Sequence, residues 1–160
     1  MRAICNTSPL ILLAKIHRLD LLVQLYEEVV IPASVLDEVK AKPGKEAGQV
    51  QALLQNRKCL IRKAAKRAMA GTPSDLGAGE REVVTLALEA KTALVVLDDQ
   101  QGRCVARERG LSITGTVGVL IEARGRGLIP SVRRELDRLI EAGMWMDEVF
   151  YHRILQQLGE

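Results

Sequence analysis

Apolar residues follow two spacings along this chain, and the alternation between them predicts its fold. Short apolar runs stop abruptly at polar or proline residues: Ala3-Ile4-Cys5 before Asn6, Val29-Val30-Ile31 before Pro32, Leu94-Val95-Val96-Leu97 before Asp98, and a shorter run at 111–113. Between them, apolar residues recur every three or four positions, as on one face of a helix. Thr7-Ser8-Pro9 offers hydroxyl caps and a proline suited to a first helical turn, opening helices that run to about Leu25. Ala33–Ala41 reads as a helix up to the Lys42-Pro43-Gly44 break, and another covers 46–56. Residues 57–71 are rich in Lys and Arg, and a loop leads from them to the next helix. From Glu80 the rhythm is regular, with helix to Ala90, strand 93–97, helix 101–109, strand 111–113 and a helix from Val117. Pro130-Ser131 opens a helix to Ala142, and Asp147 caps a last one through Leu158. Strands alternating with helices of this length belong to parallel sheets with crossover connections. The expected architecture is α/β: three layers, with a doubly wound, mainly parallel sheet, in a single domain over 1–160 on which residues 131–160 pack as a helical tail.

Composition narrows the function classes. A domain of 160 residues can bury about 70% of its unfolded surface, so no staple is required. The apolar share is aliphatic, and only Tyr26, Trp145, Phe150 and Tyr151 carry aromatic rings of the Phe, Trp and Tyr type. That counts against passive single-strand readers built on aromatic platforms, so any nucleic acid is to be held by charge. The net charge of +3 suits a polyanionic partner without demanding one. Cys5, Cys59 and Cys104 are odd in number and lack C-x-x-C spacing, which argues against a disulfide framework or a zinc site and for a reducing, cytoplasmic setting. The chain enters a strand pattern within three residues and has no membrane-length apolar run, so it reads as soluble and untargeted. His17 and His152 stand alone, and no Ser/His/Asp or Cys/His set assembles around them. Gly77-Ala78-Gly79 lacks the remainder of a phosphate-binding loop.

The acids carry the candidate chemistry. In an open α/β sheet, ligands bind beyond the carboxyl ends of the strands, and here acids or their amide isostere cluster after strands: Asn6, Glu38, Glu80, Asp98 and Asp99. At 100° per residue, Glu80 shares the apolar face of its helix with Val83, Val84, Ala87 and Ala90, while Glu82 and Glu89 point to solvent. Glu38 falls at the edge of the face made by Val35, Leu36 and Val39, with Asp37 outward. One of Asp98 and Asp99 caps the next helix, and a pair leaves the other free for a metal. Asn6 reads first as a helix cap, although its amide oxygen also suits a hard cation. Thr7 and Ser8 either cap that helix or orient carboxylates. Arg57, Lys58, Arg62, Lys63, Lys66 and Arg67 form a basic run that is either a solvated face or a contact for an RNA backbone.

In order, Cys5-Asn6-Thr7-Ser8-Pro9-Leu10, Ile31-Pro32 with Glu38-Val39, Gly79-Glu80-Arg81-Glu82, Leu97-Asp98-Asp99 with Gly102-Arg103, and Gly115-Thr116-Val117-Gly118-Val119-Leu120 resemble the PIN domain family across nearly the whole chain. The compact prokaryotic branch ending in a segment like Gly127-Leu128-Ile129-Pro130-Ser131 is the most similar. The resemblance implies a magnesium or manganese (Mg²⁺ or Mn²⁺) site and ribonuclease activity of the VapC-like toxin kind, with single-stranded or structured RNA as substrate, a small antitoxin protein as partner, and a homodimer. It puts Asn6 where the family has its first aspartate, Glu38, Glu80 and Asp98 or Asp99 at the later acids, and Thr7, Ser8 and Thr116 at hydroxyl positions. Asn6 departs from the pattern and implies weaker metal binding and reduced turnover. The rival is a catalytically degenerate nucleic-acid-binding or regulatory protein, for which Phe150, Tyr151, Ile154, Leu155 and Leu158 offer a contact face or pack back onto the domain. A phosphoacceptor receiver domain would need an early acidic pair and a late lysine, which this order lacks.

Overall fold

The computed structural model describes residues 1–91 and 93–160. Their elements run β1 (Arg2–Cys5), α1 (Thr7–Lys15), α2 (Asp20–Leu25), β2 (Glu28–Pro32), α3 (Ala33–Ala41), α4 (Glu46–Leu53), β3 (Cys59–Arg62), α5 (Lys66–Met69), α6 (Ala78–Ala90), β4 (Leu94–Val96), α7 (Gln100–Glu108), β5 (Ser112–Thr114), α8 (Thr116–Gly125), α9 (Val132–Glu141) and α10 (Glu148–Gln157). The described residues form one five-stranded sheet in the order β3-β2-β1-β4-β5, and every neighbouring pair is parallel. All strand carboxyl ends therefore share one edge.

The chain steps outward from β1 to β2 and β3, then returns across the sheet to β4 and β5. With right-handed crossovers, that reversal puts helices on both faces. α6 lies against β1, β2 and β4, and α7 against β5, while α1 packs with α4 and α8. α3 reaches both groups, touching α1 and α4 as well as α6. The reversal also makes the gap between β1 and β4 the switch point, the place where open α/β sheets bind ligands. Asn6 leaves β1 and Asp98 follows β4 on its two sides.

Strand residues Ala3, Ile4, Cys5, Val29, Val30, Ile31, Val95 and Val96 are buried in one core with Leu10, Leu13, Val83 and Leu120. The same core takes Val132, Leu136, Leu139, Ile154 and Leu155 from α9 and α10. Of the C-terminal apolar set, Ile154 and Leu155 thus face inward, Tyr151 and Leu158 pack partly against the core, and Phe150 stays 47% exposed. Buried Glu135 accepts from Arg18 at 2.8 Å and from Arg138 at 3.0 Å, tying α9 to the turn after α1. Asp147 caps α10 through the Phe150 amide, as its position predicts.

One expectation needs correction, and one strand lies where none was assigned. Within the basic stretch, Cys59–Arg62 forms edge strand β3, which among the described residues pairs only with β2. Glu82 does not point to solvent: it is 2% exposed, and its carboxylate accepts from Ser34 N at 2.8 Å, Ser34 Oγ at 2.6 Å and Ala64 N at 3.0 Å. α6 is enclosed by the sheet on one side and by α3 and α5 on another, so a single apolar face underestimates what it buries. Among the described residues, no helix is long and apolar enough to cross a membrane.

Candidate functional site

Asn6 occupies the N-cap position of α1 with extended backbone, yet its side chain makes no cap hydrogen bond. The amide turns instead toward α6, where Nδ2 donates to Glu80 Oε1 at 3.3 Å. Asn6 is 2% exposed, and its Oδ1 has no hydrogen-bond partner. A buried carbonyl oxygen left unpaired costs about 1–3 kcal/mol and calls for a cause.

Glu38 supplies the neighbouring charge. Thr7 Oγ1 donates to its Oε2 at 2.6 Å, and Gly79 N donates to its Oε1 at 3.0 Å. These two donors fix the carboxylate, one from the first turn of α1 and one from the first turn of α6. Proximity to that turn also places Glu38 and Glu80 in the positive end of the α6 dipole. A Cβ built on Gly79 would meet Glu38 Oε1 at 2.7 Å and Asn6 Oδ1 at 3.2 Å, so the two oxygens converge over this glycine. A Cβ on Gly77 would likewise fall on the Glu80 carboxylate. The Gly77-Ala78-Gly79 segment is thus not a phosphate loop but the clearance two carboxylates need.

Asp98 stands on the far side of the switch point. Thr116 holds it through its amide, at 2.8 Å to Oδ1, and its hydroxyl, at 2.6 Å to Oδ2. Asp99 is turned into α7, where its carboxylate accepts from Gly102 N at 2.8 Å as an N-cap. Of the pair, Asp98 is therefore the one that lines the open groove along β5 and α8. Arg103 stands beside it, donating from Nη1 to Leu97 O at 2.8 Å. Ser8 is exposed and donates to none of these carboxylates among the described residues. The structure thus joins Asn6, Thr7, Glu38 and Glu80 in one hydrogen-bonded corner, sets Asp98 and Thr116 in a second, and commits Asp99 to a helix.

Oxygen-only donors suit a hard divalent cation. Among the described residues, no three side chains drawn from His, Cys, Asp and Glu gather closely enough to hold a metal ion. The donor set fits a cation only when the orphaned amide oxygen of Asn6 is counted with Glu38 and Glu80. The thiols are no substitute: burial drives the Cys5 pKa far up, with neighbouring Cys59 adding to it, and burial pushes Cys59 up to about 11.

Arg57, Lys58, Arg62, Lys63, Lys66 and Arg67 are all exposed. Arg62 ends β3 and Lys63 follows it at the sheet edge that carries Asn6, but the Arg62 side chain lines a hollow with Arg2 and Glu28, at the starts of β1 and β2. Charged residues on a free edge strand also block edge-to-edge pairing, a second reason for them here. Sequence reasoning passed over Gly79 and Arg103 as site residues. A glycine pair directly before an inward-facing glutamate was the available signal for the first, and a cation one helical turn beyond the Asp98-Asp99 pair for the second.

A family model described as PIN domain matches residues 2–160, so the chain belongs to the PIN domain family. No curated protein matches it. Among solved structures, a PilT N-terminus domain protein from the hyperthermophilic archaeon Sulfolobus solfataricus P2 superposes with a TM-score of 0.50 at 18% identity, covering 77% of this chain and 93% of that one. At that identity the likeness speaks for the fold, the parallel sheet flanked by helices.

Proposed function

We propose that this PIN domain protein is a divalent-metal-dependent endoribonuclease of the VapC-like toxin kind, slowed by the amide at position 6. The observation that carries the reading is the buried, unpaired Oδ1 of Asn6, which converges with Glu38 over Gly79 while its own Nδ2 leans on Glu80. Glu38, Glu80 and the Asn6 oxygen would hold Mg²⁺ or Mn²⁺, with Asp98 across the switch point. When bound, the ion stabilises charge on a phosphoryl oxygen and activates a water. The chain's own residues set the stage for that step. Thr7 and the Gly79 amide fix Glu38, Thr116 fixes Asp98, and Arg103 sets a cation beside Asp98 where charge on a bound phosphodiester would fall. Lys63 follows β3 at the same edge, and the rest of the basic run draws in the RNA backbone. A small antitoxin, a homodimeric state and a cytoplasmic setting complete the proposal.

A second reading, a PIN fold kept for binding and no longer catalytic, draws on one observation: the Asn6 amide donates to Glu80, as an aspartate could not, and so stabilises the corner without a cation. Cleavage of a single-stranded RNA with Mg²⁺, Mn²⁺ or EDTA separates the two. The nuclease reading expects slow, metal-dependent cleavage that Glu38→Gln and Glu80→Gln each lower at least tenfold. Cleavage that EDTA leaves unchanged, or none at millimolar Mn²⁺ from pure protein, would contradict it.

A further inference from the structure

A groove of about 810 Å³ opens beside Asp98, between α7, β5 and α8 on one side and the 142–147 loop with α10 on the other. That volume lies within the range of sites that enclose small ligands. Arg103 and Arg107, one helical turn apart on the same side of α7, line it. Arg107 is exposed and its guanidinium has no hydrogen bond or ion pair among the described residues, and the Arg103 guanidinium spends only Nη1, on the Leu97 carbonyl. Trp145 and Phe150 line the groove as well, with 83% and 47% of their surfaces exposed. They are half of the chain's four Phe, Trp and Tyr side chains, and Trp145 is its sole tryptophan. The two acids of the lining keep their charge but are tied down by neutral donors, Asp147 capping α10 and Asp98 held by Thr116, so the groups with uncommitted hydrogen-bonding capacity here are the two guanidinium groups.

From this we infer that the groove seats unpaired nucleotides of a single-stranded RNA, bases stacked on Trp145 and Phe150 and phosphates on Arg103 and Arg107, leading the strand past Asp98 into the cleft. Free cations next to exposed rings, continuous with a site for phosphodiester chemistry, are the two ingredients of single-strand channels. The scarcity of aromatics does not oppose this, because the rings that exist are gathered where a strand would pass. The inference rests on the nuclease reading for the direction of the strand but not for the contact itself.

The test uses the full chain in EDTA with a mixed-sequence 2′-O-methyl oligoribonucleotide, which resists cleavage. Binding is expected to quench Trp145 fluorescence. By anisotropy of a labelled oligonucleotide, Trp145→Ala is expected to weaken affinity by roughly 5- to 100-fold, the range of one stacked base. Arg107→Gln is expected to flatten the dependence of log K on log salt by about 0.7. Absent binding, or binding that neither variant alters, would overturn the inference. So would a self-associating chain whose dimer Trp145→Ala dissociates while the oligonucleotide leaves its emission unquenched, or quenching only by a peptide. Quenching with no metal-dependent cleavage of ordinary RNA would sustain the groove and defeat the nuclease reading instead. Cleavage that survives without any groove effect would do the reverse.

Discussion

Glu80 and Glu82 stand two residues apart on α6 and occupy opposite worlds. Glu82 is sealed between α3 and the segment after β3, where three donors from Ser34 and Ala64 satisfy it. Glu80 is half-buried at the cleft, where its one donor is the Asn6 amide, and the companion oxygen of that amide has no partner at all. A carboxylate saturated by protein donors is architecture, because nothing is left for a ligand to exchange. One that leans on an under-satisfied amide keeps lone pairs that a cation's charge can use. Under the proposed function, the contrast gives folding to one acid and cation binding to the other.

The sharpest break between them comes from Glu82→Ala, which strands the buried Ala64 amide and the half-buried Ser34 amide and opens a cavity. Each unmet donor costs about 1–3 kcal/mol, so a loss of about 3 kcal/mol or more is expected in denaturant unfolding, with Glu80→Ala costing far less. Equal losses would erase the contrast. Gly79→Ala acts on the other side. The added methyl must displace the Glu38 carboxylate, the movable end of a flexible side chain. Alanine also gains about 1 kcal/mol of helix propensity, so stability is expected to change little while Mn²⁺ affinity falls about tenfold by calorimetry. Asp99→Ala is expected to cost about 1 kcal/mol, the worth of a lost cap, and to leave Mn²⁺ affinity unchanged, whereas Asp98→Asn lowers it.

The smallest effect lies far from the cleft, at Glu160. Burial raises its pKa, but hydrogen bonds from Ser131 and the Val132 and Arg133 amides, with Arg124 nearby, outweigh that and hold it below the usual carboxylate range. A folded-state pKa below the unfolded one adds stability that is full above the ordinary carboxylate value and is lost as pH falls through the depressed one. Thermal melts are therefore expected to show a small acid-side loss in the wild type that Glu160→Gln lacks.

Much of this was legible in the pattern of residues. Unbroken apolar runs ending at Asn6, Pro32 and Asp98 located three of the strands and the sheet edge that carries the candidate site, because strands buried on both faces have no polar side to obscure the signal. β3 was illegible because it sits within a run of charge: Cys59 is buried, but Ile61 and Arg62 are exposed, so neither period shows. Glu82 was misassigned because a helical wheel sees one partner, and α6 has several. The choice between Asp98 and Asp99 needed the turn geometry at the start of α7, where only one of the two can reach Gly102. The failed cap of Asn6 needed a contact 74 residues away, which no local spacing encodes.

The central claim is that Asn6 stands at a cation site from which one negative charge is missing. A carboxylate about 4 Å from a unit charge gains several kcal/mol at an effective dielectric near 20, so even the fraction left after desolvation is worth a factor of ten. The direct measurement is Mn²⁺ binding to wild type and Asn6→Asp by calorimetry, alongside their melting temperatures in EDTA. The account predicts that Asn6→Asp tightens Mn²⁺ binding tenfold or more and lowers the metal-free melting temperature, as a third acid repels Glu38 and Glu80. An Asn6→Asp chain that binds Mn²⁺ no better than wild type would contradict it.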